Sequence, residues 1–358
     1  MPKVSVLVPV YNVEKYLSEC LESLVNQTLQ DIEIICINDG STDNSPKILE
    51  DYQAKYPQIK VINKENSGYG ATMNLGLKVA TGEYIGIVES DDFVKDTMFE
   101  DLYSLANKNN LDIAKSDFYY YNTINKSTRQ AGLIKKKNTN KILSVKDDIF
   151  ILKLPPSIWS AIYKRSFLNE NNIRFLETAG ASFQDTSFAF KVLASAKRLM
   201  FTSKPYVYYR QDNENSSIHS KDKVYNICYE WEEITKYINE RPKIKEVVNQ
   251  IKLSTQFNAY KWNLIRIDER YKDEFIDKFQ QTFKEYFDNN EIQKDFYIKA
   301  SKKELQMLLN DKKVYRKFID KITKKHKEKT KRRKLFSIRI NASRVSIVLF
   351  GKQIMEVG

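Results

Sequence analysis

The sequence contains few of the residues that would place it in several common classes of protein. Only three of its 358 residues are cysteine, and no two of them have the spacing of zinc ligands. A count this low and odd does not predict a disulfide framework and favours a reducing compartment. Cys20 and Cys36 fall within apolar segments, where a thiol usually acts as a small hydrophobic side chain.

Flexible linkers and membrane spans are not predicted either. Glycine and proline number 10 and 8, too few for long unstructured connections. No stretch approaches the roughly 18 apolar residues of a membrane-spanning helix, and the first residues do not show the pattern of a signal peptide. We therefore expect a cytoplasmic protein, either soluble or held at the inner face of the plasma membrane.

Positive charge is abundant and is concentrated near one end. The chain has 59 Lys and Arg against 46 Asp and Glu, a formal net charge of +13. Residues 324–334 contain a single acid among many basic residues, and apolar segments follow. A basic block beside apolar side chains favours an anionic membrane surface or an acidic acceptor as partner. Nucleic acid is not favoured, because no aromatic residues are interleaved for base stacking.

Short apolar runs alternate with segments of helical spacing over the first 90 residues. Strands are predicted at residues 4–10, 32–37, 59–62 and 84–88, with a helix between each pair. This alternation predicts an α/β fold with a doubly wound, mostly parallel sheet. In such sheets ligands bind beyond the carboxyl ends of the strands, and polar or glycine-containing loops follow all four strands here.

The pattern changes along the rest of the chain. The alternation weakens after about residue 115, and beyond residue 221 the pattern is helical with many Lys and Glu residues. We predict an α/β domain over residues 1–220, a helical region over 221–320 and a basic tail over 321–358. Two strand-like apolar segments in the tail predict a terminal hairpin or an amphipathic attachment element. The helical region is a candidate surface for a homo-oligomer.

Three acidic residues follow predicted strands at the expected binding edge. Asp91 and Asp92 come directly after the fourth strand, and Asp39 follows the second. Two adjacent carboxylates repel one another, so a divalent cation, Mg²⁺ or Mn²⁺, is expected with diphosphate oxygens completing its shell. Each residue also has an ordinary explanation, because Asp is a frequent helix cap and Asp-Gly a frequent turn.

The motifs are more specific as an ordered set than singly. They are Pro9-Val10-Tyr11-Asn12, Asn38-Asp39-Gly40-Ser41-Thr42-Asp43, Asn66-Ser67-Gly68 leading into Asn74-Leu75-Gly76-Leu77, and Ser90-Asp91-Asp92. Over roughly its first 215 residues the chain resembles the large family of inverting glycosyltransferases, often called family 2, that has the GT-A fold. The resemblance is to members of the bacterial surface-polysaccharide type. It implies transfer of a sugar from a UDP-sugar to a hydroxyl of a glycan or lipid-linked acceptor.

The resemblance also implies roles for the matching residues. By this comparison Pro9 and Tyr11 line the nucleobase pocket, Asp39 accepts a hydrogen bond from uracil, and Asp92 binds the metal ion. The other residues expected to contact the nucleotide-sugar are Asn12, Lys64, Asn66, Gly70, Asp91 and Arg210. Two positions depart from the family pattern: Met73 stands where arginine is frequent, and Glu89 precedes the paired carboxylates.

The acceptor side is expected to be formed by residues farther along the chain. Asp185 resembles the family's acidic motif, with Gln184 in place of the usual Glu, which implies that Asp185 is the general base for the acceptor hydroxyl. A helix cap is the alternative, and both roles can coexist. Trp159 is expected to stack on an acceptor sugar, although burial is the commoner outcome for an indole. His219 is a candidate metal ligand, or an ordinary surface histidine.

Two other functions are consistent with parts of the pattern. A nucleotidyltransferase acting on a sugar phosphate would have a glycine-rich basic loop after the first strand, where this chain has Tyr11-Asn12-Val13-Glu14. A non-catalytic binding protein would depend on the basic tail alone.

Overall fold

The computed structural model describes residues 1–213, 223–292, 299–341, 344–349 and 352–357. The chain forms two compact units, Met1–Thr255 and Gln256–Gly358. Their division falls inside a long helix that spans Pro242–Arg266. The division of the sequence at residues 220 and 320 stays a prediction.

The first unit begins with the alternating strands and helices that the sequence predicts. The strands are β1 (Val4–Val10), β2 (Ile32–Asp39), β3 (Ile59–Lys64) and β4 (Tyr84–Ile87). The helices between them are α1 (Glu14–Val25), α2 (Ser45–Lys55) and α3 (Tyr69–Val79). The position of each predicted strand is therefore confirmed to within a few residues.

The second half of this unit is less regular. Its strands are β5 (Phe93–Val94), β6 (Ile113–Asn122), β7 (Ser127–Gln130), β8 (Ala161–Lys164) and β9 (Leu199–Arg210). Its helices are α4 (Met98–Lys108), α5 (Arg165–Glu170), α6 (Gln184–Ser195) and α7 (Asn226–Asn239), followed by α8 (Pro242–Arg266).

Nine strands of the described chain form one sheet in the order β3-β2-β1-β4-β8-β6-β9-β5, with β7 paired to β6. The strands β1 to β4 pair in parallel, which confirms the parallel sheet predicted for this part. By contrast, β8 runs antiparallel to both β4 and β6, while β6 and β9 are parallel. The end of β9 lies near the carboxyl end of β4. Residues from a later part of the chain therefore reach the predicted binding edge.

Burial on both faces explains the apolar composition of the first strands. Every residue of β1 and β2 is buried, as expected for strands covered by helices on both sides. Besides Asp39 at the end of β2, the acidic exception is Glu33, whose carboxylate accepts hydrogen bonds from Ser5, Lys60 and Thr81. Burial opposes ionisation of this group, but these bonds outweigh it and lower the pKa of Glu33 to about 2. The Glu33 carboxylate therefore connects β1, β2 and β3 with the residues just before β4.

Two glycines allow the loop after β3 to pack against the segment before α6. A Cβ atom on Gly70 would overlap the carbonyl oxygen of Leu176, and one on Gly68 would lie 2.8 Å from the carbonyl oxygen of Thr178. The Tyr69 N–H donates to the carbonyl oxygen of Gly180 at 3.1 Å. This close backbone contact brings the start of α6 to the edge where β4 ends.

The second unit contains α9 (Lys272–Asp288), α10 (Lys299–Asn310), α11 (Lys312–Leu335) and the strands β10 (Phe336–Asn341), β11 (Arg344–Leu349) and β12 (Lys352–Val357). Its helices pack around aromatic side chains that include Phe279 and Phe283. The predicted helical region is confirmed, and β10, β11 and β12 pair antiparallel in a three-stranded sheet. None of the helices in the described ranges has an apolar stretch long enough to cross a membrane.

The packing at Gly70 predicts a stability defect. Gly70→Ala should destabilise the first unit by about 1–3 kcal/mol, because the new methyl group has no room beside Leu176. Lys78→Ala, on an exposed position of the same helix, should change stability by less than about 0.5 kcal/mol. Urea denaturation of both variants measures the difference. Equal stability of the two variants would contradict this packing.

Candidate active site

Asn12 joins the loops that follow β1 and β2. Its φ is 49°, in the left-handed region, and its side-chain oxygen accepts a hydrogen bond from the Thr42 N–H at 2.8 Å. Its own N–H donates to the Ser41 hydroxyl at 3.1 Å. Asn12, predicted to contact the nucleotide-sugar, therefore has its side-chain oxygen occupied in connecting two loops of the binding edge.

Asp39 and Lys64 lie together at this edge. The Asp39 carboxylate accepts hydrogen bonds from the N–H groups of Ser67 at 2.9 Å and Gly68 at 3.0 Å, and it forms an ion pair with Lys64. Lys64 also donates to the Ser67 hydroxyl. The carboxylate thus shapes the loop after β3. Its predicted contact to uracil would use the lone pairs that these bonds leave over.

The other predicted donor residues differ in exposure. Tyr11 is 53% exposed, so one aromatic face is available at the edge. Asn66 is exposed beside Gly40, whereas Pro9 is buried within β1. The backbone of Gly70 is buried against Leu176, and its contact with the nucleotide-sugar stays a prediction. We assign Gly70 to packing.

The Asp91-Asp92 turn after β4 contains an unusual buried carboxylate. Asp92 is 1% exposed, and its Oδ1 accepts a hydrogen bond from the Arg210 N–H at 2.8 Å. Its Oδ2 is buried and accepts no hydrogen bond from any described residue. Burial, and next the charge of Asp91, raise the pKa of Asp92 well above its usual range. An orphaned carboxylate oxygen is costly unless a cation or donor reaches it.

This oxygen fits a hard divalent cation. Mg²⁺ and Mn²⁺ bind carboxylate oxygens, and Asp91 supplies a second carboxylate beside Asp92. Within the described ranges no group of three His, Cys, Asp or Glu side chains is arranged to hold a metal alone. The coordination shell would therefore need oxygens from a bound ligand. His219, the other predicted metal ligand, lies outside the described residues.

Arg210 is buried and does not offer a free guanidinium. Its Nε donates to the carbonyl oxygen of Asp91 at 2.7 Å, one terminal nitrogen donates to Glu19 at 2.5 Å, and the other to Thr123. These bonds use three of the five guanidinium N–H groups of a buried side chain, and the predicted contact of Arg210 with the nucleotide-sugar stays a prediction. We assign Arg210 to positioning the Asp91-Asp92 turn.

Glu89 is a member of this cluster whose role the sequence did not predict. The Tyr69 hydroxyl donates to its Oε1 at 2.7 Å. Burial, and then the charges of Asp91 and Asp185, raise the pKa of Glu89 to about 8 despite that hydrogen bond. The sequence signal for such a role was the position of Glu89 directly after β4, because residues that follow the strands of this kind of sheet lie at its binding edge.

Asp185 lies in the first turn of α6, near the carboxylates that follow β4. The helix begins at Gln184, and its cap residue, Phe183, has a φ of 66° and makes no side-chain cap bond. The cap explanation for Asp185 is therefore wrong, since the residue lies inside the helix. Burial raises the pKa of its carboxyl to about 6. A carboxylate with a pKa near the working pH is well suited to accept a proton.

Trp159 lies in a second layer behind the site. It is 8% exposed, and its ring packs on Phe118 and Tyr209 at centroid distances of 4.6 and 5.0 Å. Burial raises the pKa of Tyr209, and the charges of Asp92 and the neighbouring acids raise it further, so this ring lies within electrostatic range of the carboxylates. With 8% of its surface exposed, Trp159 offers little of its ring to a sugar, and its predicted stacking stays a prediction.

Comparison with known families agrees with this arrangement. Residues 5–171 match the model of the family described as Glycosyl transferase family 2. Residues 5–171 therefore form a domain of this family. The predicted GT-A fold is confirmed by crystal structures of TarS residues 1–349 from S. aureus. One of these, in complex with UDP-GlcNAc, has a TM-score of 0.65 at 21% identity and covers 97% of each chain.

Two curated relatives show the extent of the similarity. The uncharacterized glycosyltransferase EpsJ of Bacillus subtilis is 35% identical over 222 residues, 60% of this chain and 63% of EpsJ. The poly(ribitol-phosphate) beta-glucosyltransferase of Bacillus spizizenii is 35% identical over 224 residues, 60% of this chain and 34% of that protein. The chain thus spans less than two thirds of the length of these relatives.

The buried charge of Asp185 predicts that its neutral analogue stabilises the family 2 domain. The pKa is raised in the folded state, so stability is lost as pH rises from the unfolded value to about 6 and beyond. Asp185→Asn should therefore raise stability by about 2 kcal/mol at pH 7.5 and leave it unchanged near pH 3. Thermal unfolding at both pH values tests this. A gain of equal size at both would contradict the assignment of the charge.

The role of Arg210 predicts unequal effects for two substitutions in one ion pair. Arg210→Met should destabilise the domain by more than about 2 kcal/mol, because the Asp91 carbonyl and Thr123 lose their partner. Glu19→Gln should cost less than about 1 kcal/mol, since the Glu19 side chain is half exposed. Chemical denaturation measures both, and similar losses would show that only the ion pair matters.

Proposed function

We propose that this chain is an inverting glycosyltransferase that moves a sugar from a UDP-sugar to a hydroxyl of a glycan acceptor in bacterial surface polysaccharide synthesis. The observation that carries the proposal is that Tyr69 connects the segment before α6 with the end of β4, since its N–H donates to Gly180 and its hydroxyl donates to Glu89. The charges of Asp91 and Asp185 both act on this buried Glu89. A base with a raised pKa, together with an orphaned carboxylate oxygen on Asp92, suits group transfer from a metal-bound diphosphate.

Asp185 takes the proton in this mechanism. Its carboxylate accepts the proton of the acceptor hydroxyl while the hydroxyl oxygen attacks the anomeric carbon of the donor sugar. The bond from that carbon to the diphosphate oxygen breaks on the opposite face, so UDP leaves with the bonding electron pair and the configuration inverts. The partial burial of Asp185 keeps it a stronger base than an exposed carboxylate.

Asp92 and Asp91 would hold a Mn²⁺ or Mg²⁺ ion together with oxygens of the donor. When bound, such an ion stabilises the negative charge on the leaving diphosphate as a Lewis acid. Arg210 supports this arrangement from behind, since its backbone N–H and guanidinium fix both residues of the turn. His219 remains a candidate additional ligand.

Residues of the loops after β1, β2 and β3 would bind the nucleoside. The exposed ring of Tyr11 would stack on uracil, above Pro9 at the end of β1. Asp39 would accept the imide N–H, and the Lys64 side chain next to it would compensate the carboxylate charge. Asn66, exposed beside these residues, would contact the base or ribose.

The relatives support a polymeric, hydroxyl-bearing acceptor. One similar protein is named as a poly(ribitol-phosphate) beta-glucosyltransferase, and a structural neighbour was crystallised with UDP-GlcNAc. An acidic, lipid-linked or teichoic-type acceptor would also match the net charge of +13. We propose a cytoplasmic enzyme whose basic tail, residues 321–358, contacts the acceptor or the anionic inner face of the membrane.

Donor turnover tests the proposal directly. The full chain with Mn²⁺ and UDP-glucose, UDP-galactose or their N-acetyl forms should release UDP, and addition of a glycan acceptor should accelerate the release. Asp185→Asn should lower kcat by about 10²–10⁴ while leaving donor binding within a few-fold, because it removes only the base. Asp51→Asn, at an exposed surface position, is the matched control. Release of pyrophosphate instead of UDP would favour a nucleotidyltransferase.

The pKa of Asp185 predicts the acid limb of the pH profile. The base must be ionised to accept a proton, so kcat/KM should fall tenfold per pH unit below about pH 6. Initial rates between pH 4.5 and 8 with saturating Mn²⁺ measure the profile. A rate independent of pH across this range would remove Asp185 from the role of base.

A further inference from the structure

Helices α6 and α7 are joined by three polar contacts at regular spacing. On α6 the residues involved are four apart, so they lie on one face of the helix. The contacts are Ser187 N–H to Glu230 Oε2 at 3.1 Å, Lys191 Nζ to Glu233 Oε1 at 2.9 Å, and Ser195 Oγ with the Tyr237 hydroxyl at 2.7 Å. The contact nearest Asp185 is the one made by Glu230.

Glu230 is an unexpected residue for a buried helix contact. Its side chain is 0% exposed, and its Oε1 has no hydrogen-bond partner among the described residues. The neighbouring Trp231 is buried and packs edge-on to Phe190 of α6, so the surroundings are largely apolar. An apolar side chain of similar volume is often as stable or more stable at such a position. Stability alone therefore does not account for a carboxyl group here.

The contact of Glu230 is made to the turn that contains Asp185. In a regular helix the Ser187 N–H would bond to the carbonyl oxygen of Phe183, but that oxygen accepts from Thr186 at 2.8 Å. The Ser187 N–H turns instead to Glu230. Phe183 provides no side-chain cap and has a left-handed backbone. The irregular first turn of α6 is thus held by a side chain from α7.

We propose that Glu230 is a positioning residue for Asp185, which holds the first turn of α6 in the conformation that aims the base at the acceptor. The inference rests on the proposed function, since it takes Asp185 to be the base. It also makes α7 a part of the catalytic apparatus, although α7 lies beyond the residues 5–171 that match the family and beyond the α/β boundary predicted at residue 220.

The electrostatic surroundings of Glu230 agree with this role. Burial, and to a smaller extent the charge of Asp185, raise the pKa of Glu230 to about 8, against the opposing effects of Ser187 and Lys191. The titratable groups that face it from α6 are Asp185 and Lys191, and Glu233 lies next to it on α7. A largely neutral Glu230 keeps the hydrogen bond to the turn and places no second negative charge behind the base.

Three substitutions in the full-length chain separate positioning from stability. Glu230→Met removes the acceptor but fills the volume, and it should lower kcat by about tenfold or more, with the donor KM within threefold and the thermal midpoint unchanged or higher. Glu230→Gln keeps an oxygen for the Ser187 N–H and should retain kcat within about twofold. Tyr237→Phe breaks the far contact of the same interface and should also retain kcat.

The assay is release of UDP from UDP-N-acetylglucosamine with Mn²⁺, run beside Asp185→Asn. A folded Glu230→Met variant with wild-type kcat would overturn the inference, as would equal losses in Glu230→Met and Tyr237→Phe. Asp185→Asn with full activity would instead overturn the base assignment of the proposed function. Loss in Asp185→Asn without loss in Glu230→Met would refute only the role of Glu230.

A stability measurement tests the state of Glu230 without relying on turnover. A buried carboxyl with a raised pKa stabilises the fold when protonated, and that contribution is lost as pH rises toward 8. The thermal midpoint of Glu230→Gln should therefore rise relative to the wild type between pH 5 and 8.5. A constant difference across this range would show that Glu230 is ionised throughout, and the proposed neutral contact would be wrong.

Discussion

The candidate site depends on the attachment of the turn after β4 to the end of β9. Arg210 makes this attachment with its backbone N–H on Asp92 and its guanidinium on the Asp91 carbonyl. The turn leads directly into β5, whose Phe93 and Val94 pair antiparallel with Tyr208 and Val207 of β9, so this strand pairing and the contacts of Arg210 together hold the end of β9 at the turn. Since Arg210 is buried, its hydrogen bonds are protected from water and hold the turn firmly. The paired carboxylates keep one orientation as a result.

Acidic groups accumulate around this fixed turn. Asp91 raises the cost of ionising both Glu89 and Asp92, and Asp185 adds to that cost at Glu89. Glu89, Asp92 and Asp185 all have raised pKa values, with burial as the first cause in each case. This repulsion lowers the stability of the fold, but it is useful in a binding site. A bound cation and a proton-accepting base both require negative charge in one place. Glu230 of α7 is a further buried acid near this site. In its neutral form it accepts the Ser187 N–H and so holds the turn of α6 that contains Asp185.

Several residues gained their roles only from contacts with distant parts of the chain. Gly70 was expected to contact the donor, yet its backbone lies against Leu176, and Trp159 packs on Tyr209 and is 8% exposed. Arg210 is a plausible phosphate ligand by residue type, but Glu19, Thr123 and Asp91 already bind it. Each prediction was based on the groups that a side chain of that type can bind. In the folded chain, the partner depends on which residues lie next to that side chain. Sequence spacing carries no information about such neighbours.

The sequence by itself determined the parallel half of the sheet and the positions of Asp39, Asp91 and Asp92 at its edge. These follow from local pattern, because buried strands are continuous apolar runs and the carboxyl ends of parallel strands share one edge. Only the tertiary structure decided that Asp185 lies beside these acids and that Arg210 and Glu230 serve as supports. The reason is physical: these relations join residues about 40 to 190 positions apart, through backbone groups and buried oxygens that have no periodic signal in the sequence.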